Sequence, residues 1–553
     1  MYKRQKYQWG ISTETATGTD FGQQEKKREI SGSYHPTKQS VLNFEYGELE
    51  RGDNIRTIRR RINLRLKEKK APRISYHWDL LSPQGAGDVL RQRGSIGCTL
   101  WKFIPEVYYE SEFRSSSSGR DGFQQIGGGV SLSSWGPLSC SSNYAKREEH
   151  LSGRRALAFT QQHRLQIRKW HSLTLNTEYS RRRRHFPGES ASKQRTDLAD
   201  IDVRFSPFKG AVLAEAHYRL TSSGVTKKLR NYVYVGKTAG RYIWDDTNGN
   251  GQKDEGEFVP DPNGDYILYI EEVGESQPVT ELDSGMRLAL EPRKALVQKS
   301  NSLWNRIVSE FSSNTTLQLQ RKTRRENGLN LWEPSESGPA IMRDRSLFQQ
   351  DISLFGRSRK LSLYLRYSRC SDLSNEYYSG SNRFSSVENS LKLRSHLLPR
   401  STVEVGYIRE RKARKGSGTS VNYRIDSHKL RAELFHRPAM SLEFSIRLQL
   451  ATDWEAERRA RATWISLSPG FCYRVRAKGR FRAQMSYTDV NSNKPTLIYQ
   501  MAEGKRKGTN LRWNANLDYR FSQYASFSFA YCGIKRPERD TVHSLKAEMK
   551  AYF

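Results

Sequence analysis

No stretch of the sequence approaches 18 consecutive apolar residues, so it encodes no ordinary transmembrane helix. Cysteine is scarce. Cys98, Cys140, Cys370, Cys472 and Cys532 are odd in number and far apart, which excludes a disulfide framework and a CxxC metal site. There is no HExxH and no GxSxG. Gly236–Lys237–Thr238 ends like a phosphate loop, but Asn231 stands where the first glycine belongs. The eleven histidines are scattered, and no enzyme is expected. Acidic residues are in deficit, 59 against 93 Lys and Arg, giving a formal charge of +34 over 553 residues. Such an excess first suggests nucleic acid. The basic residues, however, recur in nearly every segment instead of gathering in one tail or helix, so nucleic acid is not the expected partner. Hydrophobic residues (35%) and aromatics (11%) are spread too evenly for a disordered chain.

What is present is a period of two. In residues 441–450, Leu442, Phe444, Ile446, Leu448 and Leu450 alternate with Ser441, Glu443, Ser445, Arg447 and Gln449. Successive strand side chains point to opposite faces, so this spacing predicts an amphipathic β-strand. The pattern returns at Leu361–Tyr367, at Leu511–Phe521 and at Ile62–Leu66. No run keeps a helical period, and the chain is predicted to be all-β.

Most predicted strands run about 9–14 residues, long for soluble sheets and suited to crossing a bilayer at a tilt. Their connections alternate between tight and long. Tight ones include 522–524, 476–479, 436–439, 398–401, 356–359, 312–315, 206–210 and 135–138. Longer polar ones include 489–510, 371–385, 323–346 and 181–195. Loops sorted in this way are the mark of a transmembrane β-barrel. Twelve tight turns predict about 26 strands in a large antiparallel barrel.

The C-terminal residues resemble the terminal signature of bacterial outer-membrane proteins. Leu545, Ala547, Met549, Ala551 and Phe553 alternate with Lys546, Glu548, Lys550 and Tyr552. In that family a last strand ending in an aromatic is read by the barrel-assembly machinery. The resemblance implies a Gram-negative-type outer membrane, with its lipid and that machinery as partners. One strand face would then meet lipid, where an arginine near the midplane costs about 2–4 kcal/mol. Arg366, Arg447, Arg512 and Arg520 are therefore expected to face the lumen, either cross-paired with acids or forming an electropositive pore. The run Arg181–Arg184 is expected in a long loop, as a solvated charge run available to anionic glycolipid.

One segment breaks the period. Between predicted strands 211–222 and 300–311 lies WDDTNGNGQKDEGEFVPDPNGDYILYI, residues 244–270. Counted from Asp246, the residues Asp246, Asn248, Asn250, Gly251 and Glu257 fill loop positions 1, 3, 5, 6 and 12 of the pattern D-x-[DN]-x-[DN]-G-x5-E. Asp246, Asn248 and Asn250 offer hard oxygens, and Gly251 permits the sharp bend. Gln252 can give its carbonyl, Asp254 sits at position 9, and Glu257 can bind bidentately, which together predict Ca2+. The strand-like flanks GRYIW and DYILYI resemble the calcium loops of B-type repeats in bacterial surface adhesins, not a helix–loop–helix. Asp261, Asn263 and Asp265 form a second oxygen cluster, able to bind metal or simply to make a turn.

The predicted organisation is an N-terminal part of the barrel over 1–222, an inserted extracellular calcium-loop β module over 223–298, and the C-terminal part of the barrel over 299–553. MYKRQKYQWGISTETATG lacks the apolar core of a secretory signal, so either the true start lies upstream or the chain is the C-terminal part of a longer polypeptide; the second is the expectation favoured, with further strands in the full barrel. In size it broadly resembles the very large barrels of outer-membrane translocation systems, including the type 9 secretion translocon. That resemblance implies a transport or secretion pore for bulky cargo, gated by a plug or periplasmic partner. The alternative is a surface-display or adhesion scaffold with a calcium-stabilised module and no transport role. A carboxylate pair assembled by folding, as in barrel-borne hydrolases, is the one enzymatic arrangement that a single sequence does not display.

Overall fold

The structure is a computed structural model. It describes residues 7–551 except 18–23, 38–39, 52–54, 67–71, 85–86, 117–118, 152–153, 188–192, 238, 247–249, 296–302, 325–340, 357, 359, 417–421, 476–477, 523 and 538–539. The described chain is all-β: one sheet of 28 strands with a single short α-helix. It divides into two compact units, Met1–Arg204 with His217–Ser222, and Phe205–Ala216 with Ser223–Phe553.

The first unit begins with β1 (Tyr7–Thr17), β2 (Gln24–Thr37), β3 (Ser40–Arg51), β4 (Ile55–Leu66), β5 (Arg73–Pro83) and β6 (Val89–Gly97). It continues with β7 (Phe103–Ser116), β8 (Gly119–Trp135), β9 (Leu138–Leu151), β10 (Arg154–Trp170), β11 (Leu173–His185) and β12 (Lys193–Phe205). From β1 to β11 each strand pairs antiparallel with the next. Turns of two residues suffice, as where Gly136 at φ +61° follows β8. Such positive-φ turns match the twist of the strands they join.

The second unit contains β13 (Val212–Tyr234) apart from His217–Ser222, β14 (Gly240–Trp244), β15 (Phe258–Gly264) and β16 (Tyr266–Leu290), then α1 (Leu303–Glu310). β17 (Phe311–Thr323), β18 (Ile341–Leu354), β19 (Leu361–Ser374), β20 (Asn382–Leu398), β21 (Ser401–Gly416) and β22 (Tyr423–Ala439) follow. The chain ends with β23 (Leu442–Glu455), β24 (Ala460–Val475), β25 (Gly479–Ser492), β26 (Gly508–Arg520), β27 (Ala525–Lys535) and β28 (Val542–Ala551). β16 to β28 again form one antiparallel ladder in sequence order. β13 pairs with β16, and β14–β15 is a small hairpin carried between them.

Setting aside that hairpin leaves the 26 long strands expected, but several of the predicted boundaries are corrected, among them the turn expected at 436–439, whose residues lie within β22. Residues 303–310 are helix α1, not a strand. Leu303 and Ile307, like Trp304 and Val308, stand four apart, a helical spacing. The strand before the helix is β16, so the connection expected to run to residue 298 contains a full ladder strand, and 312–315 lie within β17 rather than in a turn. Arg181–Arg184 also belong to a strand, β11.

Burial is inverted relative to a soluble sheet. On β24 the apolar Ile465 and Leu467 are 44% and 45% exposed, while Ser466 and Ser468 between them are 5% and 7% exposed. The exposed residues continue across strands: Leu430, Leu450 and Ile465 form one row, and Leu448, Leu467 and Tyr487 another. From Leu442 to Leu450 the apolar face of β23 extends about 27 Å along the strand. At the usual barrel tilt that covers roughly 20 Å of height, close to a membrane barrel's apolar band.

Candidate functional site

On the polar face of the second unit, β22 to β28 wall a cavity of about 1350 Å³. Small side chains make the room. The polar-face positions of β24 are Ala460, Ala462, Trp464, Ser466, Ser468 and Gly470, and opposite them Thr488 Oγ1 donates to Ser466 Oγ at 2.9 Å and Ser468 Oγ to Ser486 Oγ at 3.0 Å.

The loop 493–507, between β25 and β26, folds into this space. Ile498 and Met501 join Tyr423, Ile425, Ala460 and Ala462 in one buried cluster, and Ala502 joins Ala451, Trp464 and Val490 in another. Burying Met501 completely stabilises the fold-back by about 2 kcal/mol. Polar contacts fix its register. Ala502 N–H donates to Asp453 Oδ2 at 2.6 Å, and Glu503 meets Lys429 Nζ at 3.2 Å and Lys505 Nζ at 3.3 Å. Burial alone raises the Glu503 pKa, but the two ammonium groups outweigh it and hold the carboxyl below its ordinary value. Lys505 also lies 4.5 Å above the Trp464 ring.

The second cover is the β13–β16 hairpin. Residues Tyr266–Val279 of β16 run on beyond its ladder with β17. The far half of β13 meets the 375–381 loop: Lys228 N–H donates to Glu376 O at 2.9 Å, and the Arg230 guanidinium lies 3.7 Å over the Tyr377 ring. At the tip, Arg506 reaches Asp245 at 3.6 Å and Arg536 pairs with the buried Asp261, so β14–β15 closes one side of the cavity.

The predicted calcium loop sits on that tip. Gly251 adopts φ +70°, and its N–H donates to Asp246 Oδ2 at 2.9 Å. Asn250 Oδ1 accepts from Gln252 N–H at 2.7 Å, and Asn250 Nδ2 donates to Asp254 at 3.2 Å. Glu257 is 2% exposed; its Oε2 accepts from Trp244 Nε1 at 3.0 Å, while Oε1 is buried without a hydrogen-bond partner. Asn248 lies outside the described residues. Among the described residues no three His, Cys, Asp or Glu side chains converge as a metal cage. A calcium loop of this pattern, however, takes part of its ligand set from amides and main chain. Hard oxygens, a positive-φ glycine and an orphaned carboxylate oxygen fit Ca2+. In the second cluster Asp261 is the partner of Arg536, a structural ion pair that sequence spacing did not reveal.

The four arginines expected in the lumen occupy strands of this unit. Arg366 pairs with Asp351 at 2.6 Å and Arg447 with Glu433 at 2.8 Å, Arg512 lines the cavity, and Arg520 ends β26 exposed. Leu545, Ala547, Met549 and Ala551 lie on β28, with Leu545 and Met549 strongly exposed; Phe553 lies outside the described residues. Sequence reading missed the folded-back loop. Its signal was the apolar group Leu497, Ile498 and Met501 within an otherwise polar connection, matched by small residues on β24.

No family model and no curated protein matches the sequence. Among solved structures, the chain is similar to the siderophore receptor PirA from Pseudomonas aeruginosa (10% identity, 90% of this chain and 86% of that one, TM-score 0.36). It is also similar to the copper transporter OprC (6%, 98% and 81%, TM-score 0.32) and to outer-membrane expressed OmpT of Vibrio cholerae (9%, 61% and 98%, TM-score 0.25). Scores this low leave the functional reading to the residues of the chain itself.

Proposed function

We propose that the chain is an integral β-barrel of a Gram-negative-type outer membrane that passes bulky cargo, its lumen narrowed by its own loops. The observation that carries this reading is the inverted burial of the strands: exposed Ile465 and Leu467 against buried Ser466 and Ser468. In water that arrangement forfeits the hydrophobic effect, whereas in hydrocarbon it is the stable one. The apolar face meets lipid, the polar face lines the passage, and loop 493–507 with the β14–β15 tip restricts it. The long connections face outward from the cell, the tight turns face the periplasm, and β28 carries the assembly signal.

Asp246, Asn250, Gln252, Asp254 and Glu257, with Asn248, hold Ca2+ on the outer side. Bound there, the ion neutralises the loop carboxylates and stiffens the β14–β15 tip that Arg506 and Arg536 tether. The orphaned Glu257 Oε1 also favours a second reading, a scaffold that displays a calcium-stabilised module with the lumen sealed.

Planar-bilayer recording separates the two. Passage predicts discrete conductance steps that grow when residues 496–504 are replaced by a short Gly/Ser linker. A correctly folded protein that stays silent in both forms contradicts passage and leaves the scaffold.

A further inference from the structure

We propose that the cavity of the second unit is a binding site for an acidic oligosaccharide. Its lining carries nine Lys or Arg side chains against three acids, Asp245, Asp261 and Glu503. Each acid is already engaged: Asp245 by Arg506, Asp261 by Arg536, Glu503 by Lys429 and Lys505. Arg447 and Lys546 are also met by Glu433 and Glu548 outside the lining, yet the cavity keeps more cations than carboxylates to answer them. Two guanidinium groups point to where an anion can be met. Arg431 Nε is buried with no hydrogen-bond acceptor among the described residues, and so is the Nε of Arg447, whose Nη2 is held by Glu433; each leaves an N–H for an incoming anion to take.

The rest of the lining selects among anions. Beside the cations stand hydroxyls and amides, including Ser468, Ser486, Gln484, Asn514 and Asn516. Such groups both donate and accept, as a polyol requires. Tyr499 adds a ring face on which a sugar can lie. At about 1350 Å³ the space exceeds the usual room for a drug-sized ligand, roughly 300–1,000 Å³, and suits several linked sugars. A small inorganic anion would leave most of these partners unused.

This inference rests on the outer-membrane reading only for how ligand arrives, so it is tested by binding rather than by conductance. The full chain, folded in detergent micelles, is titrated calorimetrically with an oligogalacturonate, with a neutral maltooligosaccharide of equal length and with inorganic phosphate. The acidic oligomer alone is expected to bind near stoichiometrically, and added salt to weaken it steeply. Arg512→Gln with Lys546→Gln should reduce its affinity about tenfold, as should Lys505→Gln with Lys507→Gln on the loop. Arg520→Gln, on the same face of β26 but outside the cavity, should leave affinity unchanged; heat-modifiable migration verifies the fold of every variant. Equal binding of the neutral oligomer, displacement by equimolar phosphate, or an equal loss in Arg520→Gln would each overturn the proposal. Binding by a protein that is silent in bilayers would keep it and sink the passage reading instead.

Discussion

The first unit and the β24–β25 wall of the second solve the same problem, a polar sheet face, in different ways. In the first, charges answer one another across the ladder. Glu149 on β9 takes Arg147 at 2.9 Å, Arg184 at 2.7 Å, and Arg182 as well. Asp79 on β5 receives Arg59 through two hydrogen bonds of 2.9 and 2.8 Å, and Asp197 on β12 receives Arg181 at 2.7 Å. In the second unit, β24 and β25 carry alanines and hydroxyls instead, and a loop fills the space with buried apolar contacts. A wall lined by long paired side chains has no room for an inserted segment; a wall of small ones needs it. The difference separates a region built as lining from one built as a site.

The sharpest way to break this contrast is Glu149→Ala. It strands three guanidinium groups on a face that no loop covers among the described residues. Removing one partner of a buried charge cluster costs about 3–5 kcal/mol, and the partial exposure of Arg182 places this case near the lower end. A urea midpoint for the micelle-folded protein measures it. If the loss is no greater than for a surface glutamate, the first wall is not held by its charges.

Met501→Ala probes the opposite wall. Truncating a fully buried methionine costs about 2 kcal/mol or more. The loss should free the loop while the ladder persists, exposing the Lys505–Lys507 stretch to trypsin without changing the strand circular dichroism. Unchanged cleavage would mean that the cluster does not anchor the loop.

The smallest effect is that of pH. The Glu503 carboxyl, held below its ordinary value by Lys429 and Lys505, contributes fully above the unfolded glutamate pKa of about 4.3. That contribution fades as pH falls through the lower folded value. Loop cleavage by pepsin should therefore rise only below about pH 4 in the parent protein, and should lose that pH step in Glu503→Gln. A step that survives the substitution would assign the switch to another group.

The strands and their two faces were legible because the period of two is local, and ten residues such as 441–450 display it whole. The sharp bend at Gly251 was legible for the same reason, since the residues that imply it lie within one short stretch. What stayed hidden depends on pairing between distant segments. The run Arg181–Arg184 reads as a solvated loop until Glu149 on β9 and Asp197 on β12 are seen to pair with it. Asp261 reads as part of an oxygen cluster that binds metal or makes a turn, and its pairing with Arg536, far along the chain, is not visible in that spacing. α1 was lost because eight residues hold barely two helical turns, and a strand was expected at that point in the alternation.

The central claim is that Leu448 and Leu467 face lipid while Ser468, beside them on the sheet, faces water. Spin labels at single cysteines introduced at these three positions, with the native cysteines replaced by serine, test it in reconstituted vesicles. High collision with oxygen and little with a water-soluble nickel chelate at 448 and 467, reversed at 468, is the predicted result. Equal access of the chelate to all three would contradict a membrane-embedded sheet.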